Sequence, residues 1–330
     1  MKRILVTEEL HPRGMAILEA AQDVEIVRID NIENQTLRNA IQDVDGIVVR
    51  SAIFTADILE AAPRLKVVSR HGVGCDNIDV EHLSARGIPM AIAAGANALS
   101  VAEHTLGLML SCARDLVQQD NLVKAGRWVE RNNYRARDLY GAKVLVLGFG
   151  RVGRRVAPLL KAMGMNVVVA DIKLDEALAL QIGCRGVIDF RHELAGTDFL
   201  TLHVPLDDST KHIISTAELA AMNKGGVVIN CARGGVVDND ALIAALESGH
   251  LRAAGVDVMP IEPPETDHPL ILRKDVVMTP HNGAGATSAV IAMSEMSAQN
   301  ALNAFDGTLS DDCIFNLDAL RNNCGIKLKK

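Results

Sequence analysis

The sequence has no apolar run of the roughly 18–20 residues that a membrane-spanning helix requires, so a helical membrane protein is excluded. It has no excess of positive charge. Its 34 Lys and Arg stand against 41 Asp and Glu, a formal net charge of −7, and a chain of that sign is a poor partner for nucleic acid or an anionic membrane surface. It has no C-x-x-C pair. The six cysteines, at 75, 112, 184, 231, 313 and 324, are scattered, which suits reduced thiols in a cytosolic protein and neither a disulfide framework nor a zinc site. There is no low-complexity stretch and no short solenoid repeat. The opening Met-Lys-Arg-Ile-Leu-Val-Thr-Glu-Glu-Leu turns acidic too soon for a secretory signal. The expectation is a cytoplasmic protein that binds no metal, no nucleic acid and no membrane.

What is present is 330 residues, enough for two domains, each with a sizeable core. In the first block short apolar runs fall at 3–7, 24–29, 46–49, 65–69 and 89–91, with a helix pattern at 13–21 and others between most of them. In the second they fall at 144–147, 167–170, 199–203, 227–230, 253–258 and 276–279. Strands alternating with helices predict parallel sheets covered on both faces. The fold class expected is therefore α/β, with two Rossmann-like parallel-sheet domains. Between the blocks a helix is predicted with Ser100 as N-cap and Glu103 completing a capping box. It is apolar on much of its circumference and contains His104, which is read as structural. A helix pattern over 286–305 has no place in a completed nucleotide-binding sheet and is expected to cross back to the first domain. The predicted boundaries are 1–98 with 287–330 for a discontinuous substrate-binding domain, and 99–286 for a nucleotide-binding domain.

The densest signal is Lys143-Val-Leu-Val-Leu-Gly-Phe-Gly-Arg-Val-Gly153, with Asp171 eighteen residues on. A strand, three glycines at G-x-G-x-x-G spacing, a helix over 154–163 capped by Gly164, and a second strand ending in an acid make one βαβ unit. Gly148 permits the turn out of the strand, Gly150 keeps side-chain atoms away from a pyrophosphate, and Gly153 lets helix and strand pack closely. The helix N-terminus then offers N–H groups and partial positive charge to phosphates. Asp171 is placed to accept hydrogen bonds from ribose hydroxyls, and its charge repels a 2′-phosphate, favouring NAD over NADP; Lys173 lies close enough to weaken that preference.

Ligands of such sheets bind beyond the carboxyl ends of the strands, where three polar residues have no structural need to be. Arg233 precedes Gly-Gly after a strand, Glu262 sits in a loop stiffened by prolines, and His281 follows Met-Thr-Pro past the last strand. Together they offer an anion clamp, an acid and an imidazole.

With Arg70-His-Gly-Val-Gly-Cys-Asp-Asn-Ile-Asp79, Ser100-Val-Ala-Glu-His104, Gly148–Gly153, Leu202-His-Val-Pro-Leu206, Cys231-Ala-Arg-Gly-Gly235, Asp257, Glu262-Pro263 and Pro280-His281 in order, the chain resembles the D-isomer-specific 2-hydroxyacid dehydrogenases. The branch is the one containing phosphoglycerate dehydrogenase and hydroxypyruvate reductase. The resemblance runs over essentially the full length. It implies Arg233, Glu262 and His281 as a catalytic trio, an active site in the cleft between two domains, and a homodimer built on the long helix near residue 100. It carries over Arg151 and Val152 beneath the pyrophosphate, and Asp257 near the nicotinamide carboxamide. Cys231, Ala232 and the segment from His281 through Gly283 and Ala284 would line the nicotinamide side. His203, with Val204 and Pro205, is read as adenosine wall.

Histidine as a residue type, with an unperturbed pKa near 6.5, can serve as acid or base at neutral pH. In that reading His281 gives a proton to the carbonyl oxygen during reduction and takes it back during oxidation. Glu262 orients the ring, and Arg233 holds the substrate carboxylate by its fork. The amides of Val73 and Gly74 receive the same carboxylate, and Arg50 and Ser51 reach the distal group. The substrate expected is a D-2-hydroxy acid of 3-phosphoglycerate or hydroxypyruvate/glyoxylate type. The alternatives are another acid such as sulfolactate, or a non-catalytic NAD sensor on the same fold. The family's phosphoglycerate dehydrogenases often carry a regulatory domain after the catalytic core; with Lys330 as the last residue, the expectation is a core without it. The Ala93–Ser100 segment departs from the family's usual Asn-x-Pro type stretch, so the loops choosing the distal group do not name the acid.

Overall fold

The structure, a computed structural model, describes residues 1–134 and 136–324. It divides into two units, Met1–Asn97 with Ala286–Lys330, and Ala98–Gly285.

The first unit carries five strands: β1 (Lys2–Thr7), β2 (Val24–Ile29), β3 (Gly46–Val49), β4 (Val67–Arg70) and β5 (Met90–Ile92). Their order is β2-β1-β3-β4-β5 and every pairing is parallel. Ile4, Leu5 and Val6 of β1 and Ile47, Val48 and Val49 of β3 are all buried, as strands covered on both faces must be. Leu37, Ile41, Phe54, Leu59 and Leu83 fill one side. On the other, Ala298 and Ala301 of the helix Thr287–Asp306 pack with Ile4, Val6 and Leu18. Small residues let this helix approach closely: a Cβ on Gly14 would lie 2.6 Å from the Ser294 carbonyl oxygen. Ser69 Oγ donates to the Ser297 carbonyl at 2.7 Å. Both ends of the chain therefore build one unit.

The second unit carries β6 (Lys143–Leu147), β7 (Asn166–Ala170), β8 (Arg185–Val187), β9 (Phe199–Leu202), β10 (Gly226–Asn230), β11 (Leu251–Val256) and β12 (Val276–Met278). The order is β12-β11-β10-β9-β6-β7-β8, again all parallel. The helix Ala98–Arg114 lays Leu108, Met109 and Cys112 on Val227, Ile229 and Ala253. Strand order reverses at β6 and β9, so the crevice a parallel sheet offers to ligands opens beyond their carboxyl ends.

Several expectations need correction. Ser100 does not cap its helix; the helix begins at Ala98, and Ser100 is buried inside the first turn. A Ser-x-x-Glu capping box forms instead at Ser215 and Glu218. β8 was not anticipated. It is three residues long, on the sheet edge, and contains Arg and Gly, so it has no hydrophobic periodicity to read. β11 ends two residues before the expected position, which leaves Asp257 and Val258 past the strand end. No helix among the described residues is long and apolar enough to cross a membrane.

Candidate active site

The three glycines of the β6 turn meet three different constraints. Gly148 has φ +98, a conformation side chains rarely adopt, and a Cβ there would lie 2.5 Å from the His203 carbonyl oxygen. A Cβ on Gly153 would sit 1.9 Å from the Gly148 oxygen. Gly150 has nothing within 4 Å of its Cβ direction; its lack of a side chain leaves room for a ligand, as a dinucleotide pyrophosphate requires. The helix Gly153–Ala162 starts at the turn with Val152 as N-cap after Arg151, so its free amides point where phosphates would lie. Gly164 follows the helix at φ +77.

Asp171 follows β7 and bends toward the turn. Its Oδ2 accepts from Phe149 N at 2.7 Å and its Oδ1 from Lys173 N at 2.8 Å. Two backbone amides thus fix the carboxylate, which keeps spare lone pairs for hydroxyl donors. The 203–205 segment lies against the same turn through the Gly148 contact. His203 Nε2 is 2.9 Å from Thr201 Oγ1, and its buried Nδ1 has no partner. Burial pushes this imidazole down to about 3, so it is neutral at working pH and no rival base.

The sign of that shift makes a prediction. Between pH 6.5 and 3 the unfolded chain binds a proton at His203 that the folded chain refuses, so stability falls as pH drops below 6.5. At 1.36 kcal/mol per pH unit the contribution reaches roughly 2 kcal/mol by pH 5. His203→Gln should therefore lose less melting temperature than the parent between pH 7 and pH 5. Parallel pH–Tm curves would contradict it.

The trio lies at the carboxyl ends of β10, β11 and β12. Arg233 is extended (φ −148, ψ 144) before the short turn Gly234–Val236. Asn230, the last residue of β10, clamps this turn: its Oδ1 accepts from Ala232 N at 3.0 Å and its Nδ2 donates to the Arg233 carbonyl at 2.9 Å. Arg233 Nη1 donates to the Ala232 carbonyl at 2.7 Å. The neighbouring loop is in backbone contact, since a Cβ on Gly234 would fall 2.0 Å from Met259 C and 2.2 Å from Pro260 N. In that loop Glu262 Oε1 accepts from Met259 N at 2.9 Å, and Oε2 lies 2.7 Å from His281 Nδ1. The His281 side chain is 49% exposed. Cys231, beside Arg233, has its thiol pushed up to about 12 by burial, which removes it as a nucleophile. Among the described residues no group of His, Cys, Asp and Glu could hold a metal.

Beneath His281, Asp257 organises the turn. His281 has φ +48, and its N–H donates to the Asp257 carbonyl at 2.8 Å. The Asp257 carboxylate accepts from Asn282 N at 2.8 Å, Gly283 N at 2.9 Å and Thr279 Oγ1 at 2.6 Å. Ala284 is half-buried just beyond. Asn230, Thr279 and Asp257's role in the loop were not legible in sequence. They act through backbone groups, and only the strand-end position of Asn230 hinted at it.

Arg50, Ser51, Val73 and Gly74 lie in the first unit, past the ends of β3 and β4. Ser51 is already engaged: its N–H and that of Ala52 donate to Glu8 Oε2 at 2.6 and 3.0 Å, and its hydroxyl donates to Oε1. The Val73–Gly74 loop turns at Gly72 (φ +144) and is braced by Arg70, which donates to the His71 and Gly74 carbonyls at 2.8 and 3.0 Å. His71 is buried with its Nε2 2.9 Å from Ser294 Oγ, tying the loop to the helix Thr287–Asp306.

Comparison with known proteins accounts for this arrangement. Residues 106–283 match the family model described as D-isomer specific 2-hydroxyacid dehydrogenase, NAD binding domain, so the second unit is an NAD-binding domain. The chain is 40% identical to D-3-phosphoglycerate dehydrogenase of Methanocaldococcus jannaschii over 95% of its own length, but spans only 59% of that relative. It is 38% identical to hydroxypyruvate reductase of Thermotoga maritima, covering 87% of this chain and 93% of the relative. Among solved structures, an NADPH-dependent glyoxylate/hydroxypyruvate reductase from Sinorhizobium meliloti superposes with a TM-score of 0.82 at 30% identity, over 92% of this chain and 95% of that one. A match over more than half the chain, together with a relative spanned nearly end to end, establishes that the chain belongs to the D-isomer specific 2-hydroxyacid dehydrogenase family.

Proposed function

We propose that the chain is an NAD-dependent oxidoreductase acting between a D-2-hydroxy acid and its 2-oxo acid, of 3-phosphoglycerate or hydroxypyruvate/glyoxylate type. The carrying observation is the 2.7 Å contact between His281 Nδ1 and Glu262 Oε2, with the other Glu262 oxygen pinned by Met259 N. A carboxylate at Nδ1 holds a proton on that nitrogen and fixes the tautomer, so Nε2 is the atom that gives a proton to a carbonyl oxygen and takes it back. Arg233 holds the substrate carboxylate and polarises the carbonyl. Bound NAD supplies or accepts the hydride. We assign the dinucleotide to the second unit, with Gly148–Gly153 under the pyrophosphate, Asp171 on the ribose, and Cys231, Ala232 and His281–Ala284 on the nicotinamide side. The first unit, through Arg50, Ser51, Val73 and Gly74, takes the acid.

The test is NADH oxidation with glyoxylate, hydroxypyruvate, 3-phosphohydroxypyruvate and sulfopyruvate, run beside NADPH. Turnover of one of them with NADH preferred is the expected result. Tight NADH binding without turnover of any would favour an NAD sensor. The partner we propose is a second copy of the chain, seated on the helices Ala98–Arg114 and Leu116–Lys124, where Leu99, Leu116, Val117 and Val123 are exposed, as are Trp128 and Val129 after them. A solution mass near that of one chain would reject it. The scattered cysteines, with no C-x-x-C pair, suit the cytoplasm.

A further inference from the structure

Asp257 is a buried charge beside the reacting groups, with its side chain 2% exposed. The N–H groups of Asn282 and Gly283 and the hydroxyl of Thr279 are all neutral donors, and a buried ion with neutral partners alone is costly. Another group also faces it. His104, on the helix Ala98–Arg114, brings Nε2 to 2.9 Å from Thr279 Oγ1 and 3.3 Å from Asp257 Oδ1. A proton count fixes the direction. The single hydroxyl proton of Thr279 goes to Asp257, so Thr279 Oγ1 accepts from His104, and Nε2 must carry hydrogen. Whether neutral or protonated, His104 is the donor at the head of the chain.

We infer that His104 is a positioning residue for the reaction. Through Thr279 and Asp257 it holds the left-handed turn that presents His281. This rests on the reading of His281 as the acid–base group. The contacts are continuous: His104 donates to Thr279, Thr279 to the Asp257 carboxylate, and that carboxylate gathers the amides of residues 282 and 283 while the Asp257 carbonyl takes that of His281. The packing leaves no slack, since a Cβ on Gly283 would lie 3.0 Å from Asp257 Oδ2 and 3.6 Å from His104 Cδ2. A left-handed non-glycine backbone is unfavourable unless its surroundings impose it, and here hydrogen bonds to Asp257 impose it.

The test uses the full chain with NADH and a 2-oxo acid, in His104→Leu, His104→Gln, Thr279→Val and Thr279→Ser. Glutamine can place an N–H near the Nε2 position, and serine keeps the hydroxyl. His104→Leu and Thr279→Val should lower kcat about 10- to 100-fold, as small misplacements of a reacting group do, with the KM for NADH within about twofold. Gln and Ser should recover most of the loss. Unchanged kcat in the Leu and Val variants, with His281→Asn inactive, overturns the inference and leaves the acid–base reading standing. An active His281→Asn removes that reading itself. A loss that Gln and Ser do not recover, or one matched by lost NADH affinity, means a packing role and also overturns it. Hydrogen exchange at the amides of residues 281–283 needs no substrate; it should quicken in the Leu and Val variants, and unchanged exchange counts against the inference.

Discussion

His281→Asn should abolish most turnover, lowering kcat by about 10²- to 10⁴-fold, the span that general acid–base catalysis contributes. NADH binding, followed by fluorescence titration, should stay near the parent value. Asparagine is a sharper replacement than alanine, because residue 281 has φ +48 and Asn tolerates the left-handed region better than other non-glycine residues. The turn then survives while the titrating nitrogen is lost. Two arrangements were open: an imidazole that moves a proton, or one that merely fills space beside Glu262. A ring half exposed to solvent contributes little packing, whereas its 2.7 Å partner is what a tautomer-fixing acid requires. A variant that reduces 2-oxo acids at the parent rate would sink the acid–base role. Glu262→Gln should fall between the two, since the amide can still accept a hydrogen bond from the ring but lacks the carboxylate's charge.

Gly234→Ala should damage both stability and activity. The added Cβ would meet Met259 C at 2.0 Å, Pro260 N at 2.2 Å and Met259 O at 2.5 Å. All three are backbone atoms, and proline stiffens the segment, so no side chain can swing aside; the two loops must part. Overpacking costs about 1–3 kcal/mol, and contacts this short put the change at the upper end, on the order of 6–12 °C in Tm for a unit of this size. The same separation moves Arg233 away from the loop carrying Glu262. A shift near 1 Å at reacting groups costs about 10²-fold in rate, so kcat/KM should fall at temperatures where the variant is folded. A variant with parental Tm and parental kcat/KM would show that the loops slide independently and do not share a frame.

The parallel α/β architecture was legible in the sequence because buried strands write themselves as Val-, Ile- and Leu-rich runs: Val-Leu-Val-Leu before Gly148 and Val-Val-Ile-Asn before Cys231 needed no tertiary information. Arg233, Glu262 and His281 could be selected as polar residues at strand ends, and the structure brings Glu262 and His281 into contact. What stayed hidden has a common physical origin. β8 has no periodicity because an edge strand of three residues buries little. Ser100 looked like a cap because a capping box is a four-residue pattern, while the true start of a helix depends on where its first turn is packed. Asn230, Thr279 and His104 act on backbone amides or on one another across up to 175 residues of sequence, and no local spacing records that.

The glycine turn of β6 has a consequence for how such a protein can change over time. Gly148 and Gly153 are held by the chain's own atoms, while Gly150 faces open space. A lineage that gave up its dinucleotide would be released at residue 150 alone, and the other two would stay under selection for folding. Loss of cofactor would thus leave a signature of one altered glycine between two retained ones, in a protein that still melts cooperatively.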